Sequence, residues 1–152
     1  MDQEIDWQAV RRFHGHLGPW LALGIRIGQA GLRALNARPH FGIRVTVRCP
    51  QAPPPSCIVD GLQWGTGATY GKQNLKAEPG EPIRVHMQNS DTGASVVVTL
   101  MEGVPDMMRA LLDELGDEAA TFRIWAAPQD ELFQMVEEAP AIVQQTRPAP
   151  AS

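Results

Sequence analysis

Apolar and polar residues change rhythm several times along this 152-residue chain, and each rhythm predicts an element. Residues 3–13 set Ile5, Val10 and Phe13 among polar neighbours, which predicts a short helix. Residues 19–36 carry the clearest helical stripe, with Leu21, Ile25, Leu32 and Leu35 on one side. Pro19 suits the first turn of that helix, where its missing N–H costs nothing. Gly24, Gly28 and Gly31 run along a neighbouring face at steps of four and three residues. A glycine inside a helix costs about 1 kcal/mol against alanine. The pattern therefore predicts that another backbone packs closely on that face. Arg26, Gln29 and Arg33 lie in the same segment and exclude a membrane helix pair.

The rhythm then shortens to two. Ile43, Val45 and Val47 alternate with Arg44, Thr46 and Arg48, predicting a half-buried strand over 42–49. The stretch from Pro50 to Pro55 holds four prolines and reads as a stiff connector. A second helix is predicted to start with Ser56 as its cap and to run through Gln63, ending in glycine-rich Gly65–Lys72. Strands are predicted at about 72–77, 82–88 and 94–101, the last two joined as a hairpin through Asn89-Ser90-Asp91-Thr92-Gly93. Pro105 opens a helix that Gly116 stops; 117–127 read as another short helix, and 132–138 as a last strand. Helices and strands mix without a regular βαβ repeat. The predicted class is therefore α+β, one domain over residues 1–138, with helices on a mainly antiparallel sheet. Residues 139–152 form a Pro/Ala-rich tail expected to be flexible.

Composition narrows the functional classes. With 43% hydrophobic and 20% charged residues, the chain has the balance of an ordinary globular protein. A net charge of −4 offers no case for nucleic acid binding. Arg11, Arg12, Arg26 and Arg33 read as solvated positions on two helices. No apolar run reaches the length of about 18 residues that a membrane span needs. The polar start Met1-Asp2-Gln3-Glu4 lacks the look of an export signal, so a cytoplasmic protein is expected. Cys49 and Cys57 are then expected to stay reduced, and without any CxxC pair they cannot build a zinc ribbon.

The candidate chemistry gathers at two places. Phe13-His14-Gly15-His16-Leu17-Gly18-Pro19 sets two imidazoles on either side of a glycine that lets the backbone turn. Cys57 is expected in the first turn of a helix, where the dipole lowers a thiol pKa, and Asp60 follows one turn later. A His/His/Cys set with an open position suits a catalytic or substrate-binding metal more than a closed structural one. A buried, inert Cys57 and backbone-bonded histidines are the alternative. Gly67–Lys72 is not a phosphate loop: Thr66 stands where the first glycine belongs, and Gln73 where Ser or Thr would hold magnesium. Trp64 and Tyr70 could wall a pocket or anchor packing. His86 falls on the polar side of its strand, and His40 has no evident partner.

Three ordered motifs resemble the FmdE-like family, named after a component of formylmethanofuran dehydrogenase. They are the Phe13–Pro19 segment with Leu23-Gly24, the Cys57–Gln63 segment, and Gly67–Leu75, followed by Thr92-Gly93 before a strand. The resemblance spans about residues 8–138 and implies an α+β core, commonly dimeric. It also implies a cleft between the His-Gly-His loop and the cysteine-bearing helix. Carried over, it makes His14, His16 and Cys57 the metal ligands and Cys57 and His16 the catalytic candidates. Asp60, Thr69, Tyr70 and Lys72 would line the site as cofactor-binding residues.

Two family cysteines are replaced here, by Gly18 and Ala68, which argues against an iron–sulfur cluster or a dithiol cycle. The family's cysteine-rich C-terminal zinc module is absent from this sequence. The expectation is a homodimeric protein that holds one divalent metal, Zn²⁺ or Fe²⁺, and binds a small pterin-like or one-carbon ligand. A non-catalytic accessory module for an oxidoreductase partner and an enzyme with Cys57 as nucleophile are the alternatives.

Overall fold

The computed structural model describes residues 4–138. Helix α1, Trp7–His14, starts where the Asp6 side chain accepts a hydrogen bond from Ala9 N at 3.0 Å. Helix α2, Pro19–Leu35, follows after one short loop. Strand β1, Ile43–Cys49, leads through a tight turn at Pro55–Cys57 into helix α3, Ile58–Thr66. Strands β2, Leu75–Pro79, β3, Arg84–Asn89, and β4, Ser95–Leu100, come next. Helix α4, Val104–Ala126, and strand β5, Phe133–Glu138, complete the described residues.

The five strands form one sheet in the order β2-β1-β3-β4-β5, α+β as expected. Three of its pairings are antiparallel, and β3 and β4 form the expected hairpin. Asn89 builds its turn: Oδ1 accepts from Asp91 N at 2.8 Å and Thr92 N at 3.1 Å, while Nδ2 donates to Leu35 O at 2.9 Å. The fourth pairing, β1 with β2, is parallel, so β1-α3-β2 is a single crossover unit in an otherwise antiparallel sheet. Strand β2 starts later than predicted because Tyr70–Gln73 make a turn, with Gln73 at φ 62° and its N–H on Tyr70 O.

One face of the sheet carries the core. Val45, Val47, Val85, Met87, Val96 and Val98 pack with Leu23, Ile27 and Ile58, all at most 2% exposed. Each fully buried aliphatic side chain of this kind contributes about 1.5–3 kcal/mol. Arg44, Thr46, His86 and Gln88 alternate onto the other, more open face. None of the described helices is long and apolar enough to cross a membrane. Both cysteines are free, with Cys49 fully buried under the sheet.

Three local expectations change. Ser56 is not a helix cap: the turn at Pro55–Cys57 binds its own N–H groups, with Ser56 N on Ala52 O and Cys57 N on Pro54 O. Helix α3 therefore begins at Ile58 with Cys57 in the cap position and no side-chain cap. Arg26 is not a solvated charge. Its Nη1 donates to the carbonyls of Ile124, at 3.0 Å, and Ala127, and so closes the C-terminal end of α4. The two predicted late helices are one element with a break at Gly116, whose φ of 80° belongs to the left-handed region. The expected tail over 139–152 lies outside the described residues.

The predicted close approach on α2 is made by α3. A Cβ built on Gly24 would lie 2.8 Å from Gly61 Cα and 2.9 Å from Leu62 N. One built on Gly65 would lie 2.7 Å from Ile25 O. Gly28 meets Thr66, while Gly31 instead makes room for the Met87 side chain. At Gly24 and Gly61 the obstacle is backbone, which cannot swing aside. Gly61→Ala is therefore expected to lower stability by about 1–3 kcal/mol or more in urea unfolding, the range for overpacking. That loss outweighs the gain of about 1 kcal/mol in helix propensity. Gly71→Ala, where the nearest heavy atom is 4.0 Å from the new Cβ, should leave the midpoint unchanged. Equal stability of Gly61→Ala and wild type would contradict the close crossing.

Candidate functional site

The last residue of α1 is His14, and Gly15 ends the helix in a left-handed conformation, φ 104°, with its N–H on Arg11 O. The chain can then turn back at His16 and enter α2 at Pro19, with extended Gly18 as the cap. This loop lies against the start of α3. His14 Nδ1 and Asp60 Oδ2 are 2.6 Å apart, and the two imidazole rings stand with centroids 4.8 Å apart. An ionised carboxylate only accepts, so Asp60 fixes the His14 proton on Nδ1, and the neutral ring then presents its lone pair at Nε2. The His14 side chain is 8% exposed, and Nε2 is buried with no hydrogen-bond partner. Such an atom needs a reason, since buried polar groups are nearly always paired.

A half-open cavity of about 340 Å³ lies beside these rings. Trp20, Leu21, Leu112, Pro53 and Pro54 give it apolar walls, and His14, His16, Cys57 and Asp117 supply its polar groups. His16 donates from Nδ1 to Leu17 O at 2.8 Å and has Asp117 Oδ2 at 3.6 Å. Asp60 stands behind His14, outside the cavity wall. Asp117 is the polar group that the sequence motifs do not reveal. It follows the break at Gly116, which turns the second half of α4, and only the packed fold brings it to the cleft. Trp7 fixes that half by edge-on contacts with Phe122 and Trp125, at centroid distances of 5.2 and 5.0 Å.

The expected ligands His14, His16 and Cys57 thus share one cavity, yet they do not form a coordination shell. Among the described residues no three His, Cys, Asp or Glu side chains are grouped to hold a metal ion. The buried His14 nitrogen fits one coordination position, but the donor set as arranged does not fit a resident metal centre. A Cβ on Gly18, where the family has cysteine, would sit 3.6 Å from His16 Cε1, so there is room for the missing thiol.

The remaining expected residues divide. Thr69 and Lys72 line a separate cavity of about 360 Å³ with Phe13, His40, Gln63 and Trp64. Tyr70 is 73% exposed and belongs to neither. Gln63 links the two regions: its Nε2 reaches Asp60 Oδ1 at 3.5 Å, and its Oε1 accepts from Tyr70 N at 3.0 Å.

Cys57 behaves opposite to expectation. Burial, the largest cause, and then the charges of Asp60 and Asp117 push its thiol pKa up. Helix position favours the thiolate, but desolvation and two nearby carboxylates oppose it and win. This is the wrong direction for a nucleophile at neutral pH. In metal-free protein, iodoacetamide should alkylate Cys57 slowly at pH 7, with the rate reaching half-maximum above the ordinary thiol value of 9.0. Asp117→Asn removes one negative charge and should move that midpoint down. Fast alkylation of wild type at pH 7, absent from Cys57→Ala, would overturn this electrostatic picture.

Known proteins share these features. A tungsten formylmethanofuran dehydrogenase FmdE-like protein from Syntrophus aciditrophicus has the same fold, with a TM-score of 0.58. The match covers 89% of this chain and 71% of that one at 21% identity. A probable S-adenosyl-L-methionine-binding protein from Archaeoglobus fulgidus is 33% identical over 72 residues, 43% of this chain. That stretch is 18% of the archaeal protein's length. The family described as "FmdE, Molybdenum formylmethanofuran dehydrogenase operon" matches residues 13–145. With its three motifs placed on this fold, and nearly the whole chain inside the match, the protein belongs to the FmdE family.

Proposed function

We propose that this chain is a small-molecule-binding module that serves one-carbon redox metabolism, and that its ligand occupies the cleft of His14, His16 and Cys57. The carrying observation is the buried, unpartnered Nε2 of His14 at a half-open cavity of about 340 Å³. An apolar cavity with a few convergent polar groups is the usual form of a ligand site. A flat heterocycle of pterin type suits it: ring faces meet the Trp20 and proline walls, and ring N–H groups supply donors to His14 Nε2 and the Asp117 carboxylate. Asp60 acts as a positioning residue by holding the His14 ring. The family's dehydrogenase connection makes an oxidoreductase the natural partner, in the cytoplasm, with a homodimer as the working assembly.

The same bare nitrogen favours a second reading, in which a divalent metal is held by His14, His16 and Cys57. Zn²⁺ or Fe²⁺ would supply Lewis acidity there. This reading requires the three side chains to regroup on loading.

Titration with pterin, followed by its fluorescence, tests the first reading. Saturable binding of one pterin per chain is expected, weakened at least tenfold in His14→Ala and in Asp117→Asn. S-adenosyl-L-methionine, the ligand in the archaeal relative's name, should bind more weakly. Absence of pterin binding up to millimolar concentration, or preference for S-adenosyl-L-methionine, would reject the pterin assignment. Elemental analysis of protein purified without added metal separates the second reading. Less than one ion per chain is expected, rising towards one in Gly18→Cys as the thiol donor returns. A stoichiometric ion in wild type that disappears in Cys57→Ala would instead establish the metal centre.

A further inference from the structure

The cavity that contains Lys72 is a built feature with no role in the cleft. Phe13 and His14 are consecutive, yet Phe13 lines this cavity and His14 the other. Phe13 and Trp64 form an aromatic wall, with centroids 5.8 Å apart and planes inclined at 43°. Phe13 remains 47% exposed, an apolar surface that a ligand ring could cover. Facing that wall are His40, Thr69 and Lys72. Lys72 is half-buried, with Nζ 5.8 Å from the Phe41 ring centroid, and it has no carboxylate partner among the described residues. No acidic side chain lines the cavity, in a chain whose net charge is −4.

The polar wall is held in place from beneath. Buried Asn74 donates Nδ2 to His40 O at 2.7 Å and to Ile43 O at 3.1 Å, and its Oδ1 accepts from Thr69 N at 3.0 Å. Thr69 Oγ1 in turn accepts from Lys72 N at 3.1 Å. One side chain therefore ties the His40 turn to the loop that carries Thr69 and Lys72. His40 sits at φ 67°, a left-handed conformation that a non-glycine residue adopts only when its surroundings impose it. Its ring packs on Gly67, where an added Cβ would fall 2.8 Å from His40 Cε1.

We infer that this cavity is a second ligand site, selective for a planar aromatic molecule that carries a carboxylate or phosphate. The ring would lie on the Phe13–Trp64 wall, where aromatic contacts favour it. The anion would sit with the Lys72 ammonium, a point charge suited to either group, and with the donors of Thr69 and His40. The site is separate from the cleft of the proposed function, and its occupation does not depend on that reading.

Model ligands separate the two contributions: 1-naphthyl phosphate, 1-naphthoate, neutral 1-naphthol and inorganic phosphate, titrated in phosphate-free buffer. Binding is followed by the Trp64 indole and the 69–72 amide signals in ¹H–¹⁵N spectra. Both naphthyl anions should bind at least tenfold tighter than 1-naphthol, and naphthyl phosphate at least tenfold tighter than phosphate alone. The stronger of the two naphthyl anions identifies the anionic group. Lys72→Met should abolish the preference for anions while leaving 1-naphthol binding unchanged, and Phe13→Ala should weaken all three naphthyl ligands. His14→Ala should change none of these affinities, which keeps failure here distinct from failure of the cleft. Equal binding of naphthol and the anions, an intact preference in Lys72→Met, or signal changes confined to the His14 cleft would overturn the inference.

Discussion

The crossing of α2 and α3 at Gly24 and Gly61 is the constraint on which the site depends. The two backbones are so close that a single methyl group would fall 2.8 Å from the facing Cα. Cys57 and Asp60 stand at the start of α3, and the His14–His16 loop immediately precedes α2. Bringing these helix starts together allows Asp60 to reach His14 at 2.6 Å. A shift of α3 outward by the width of a side chain would break that bond. The glycines thus carry a local cost in helix propensity that is offset by packing and by the geometry of the cleft.

The cleft holds an electrostatic opposition. Asp60 turns the His14 lone pair towards an unfilled buried position, while Asp60 and Asp117 together disfavour a negative charge on Cys57. The site is therefore built to receive hydrogen-bond donors or positive charge more readily than to generate a thiolate. That distinction separates a binding role from nucleophilic catalysis. It follows from three acidic or basic side chains drawn from α1, α3 and α4.

Much of this fold was legible because its signals are local. Alternation at Ile43–Val47 marked a central strand, Asn89–Gly93 a hairpin turn, and the glycine steps on α2 a close approach. The approaching helix was not legible, since the sequence of α2 says only that some backbone comes near. The parallel β1–β2 pairing was hidden because it depends on where α3 returns the chain. The His-Gly-His loop and Cys57 were found through residue type and motif. Asp117 was missed because its role arises from the break at Gly116 and the packing of Trp7 on α4. Thr69 and Lys72 were placed with Cys57 by motif order, whereas α3 sets them at a different cavity. The thiol pKa went the opposite way because helix position is readable in sequence and the burial of Cys57 beside two carboxylates is not.

The protonation geometry of His14 is the point on which the cleft's binding role turns. Long-range ¹H–¹⁵N correlation spectra of the imidazole rings distinguish the two neutral tautomers without any assumption about the ligand. We predict a His14 ring protonated at Nδ1 with bare Nε2, lost as the favoured form in Asp60→Asn, and an Nε2 resonance that moves when pterin is added. A His14 ring protonated at Nε2, or one whose tautomer is indifferent to Asp60, would contradict this role.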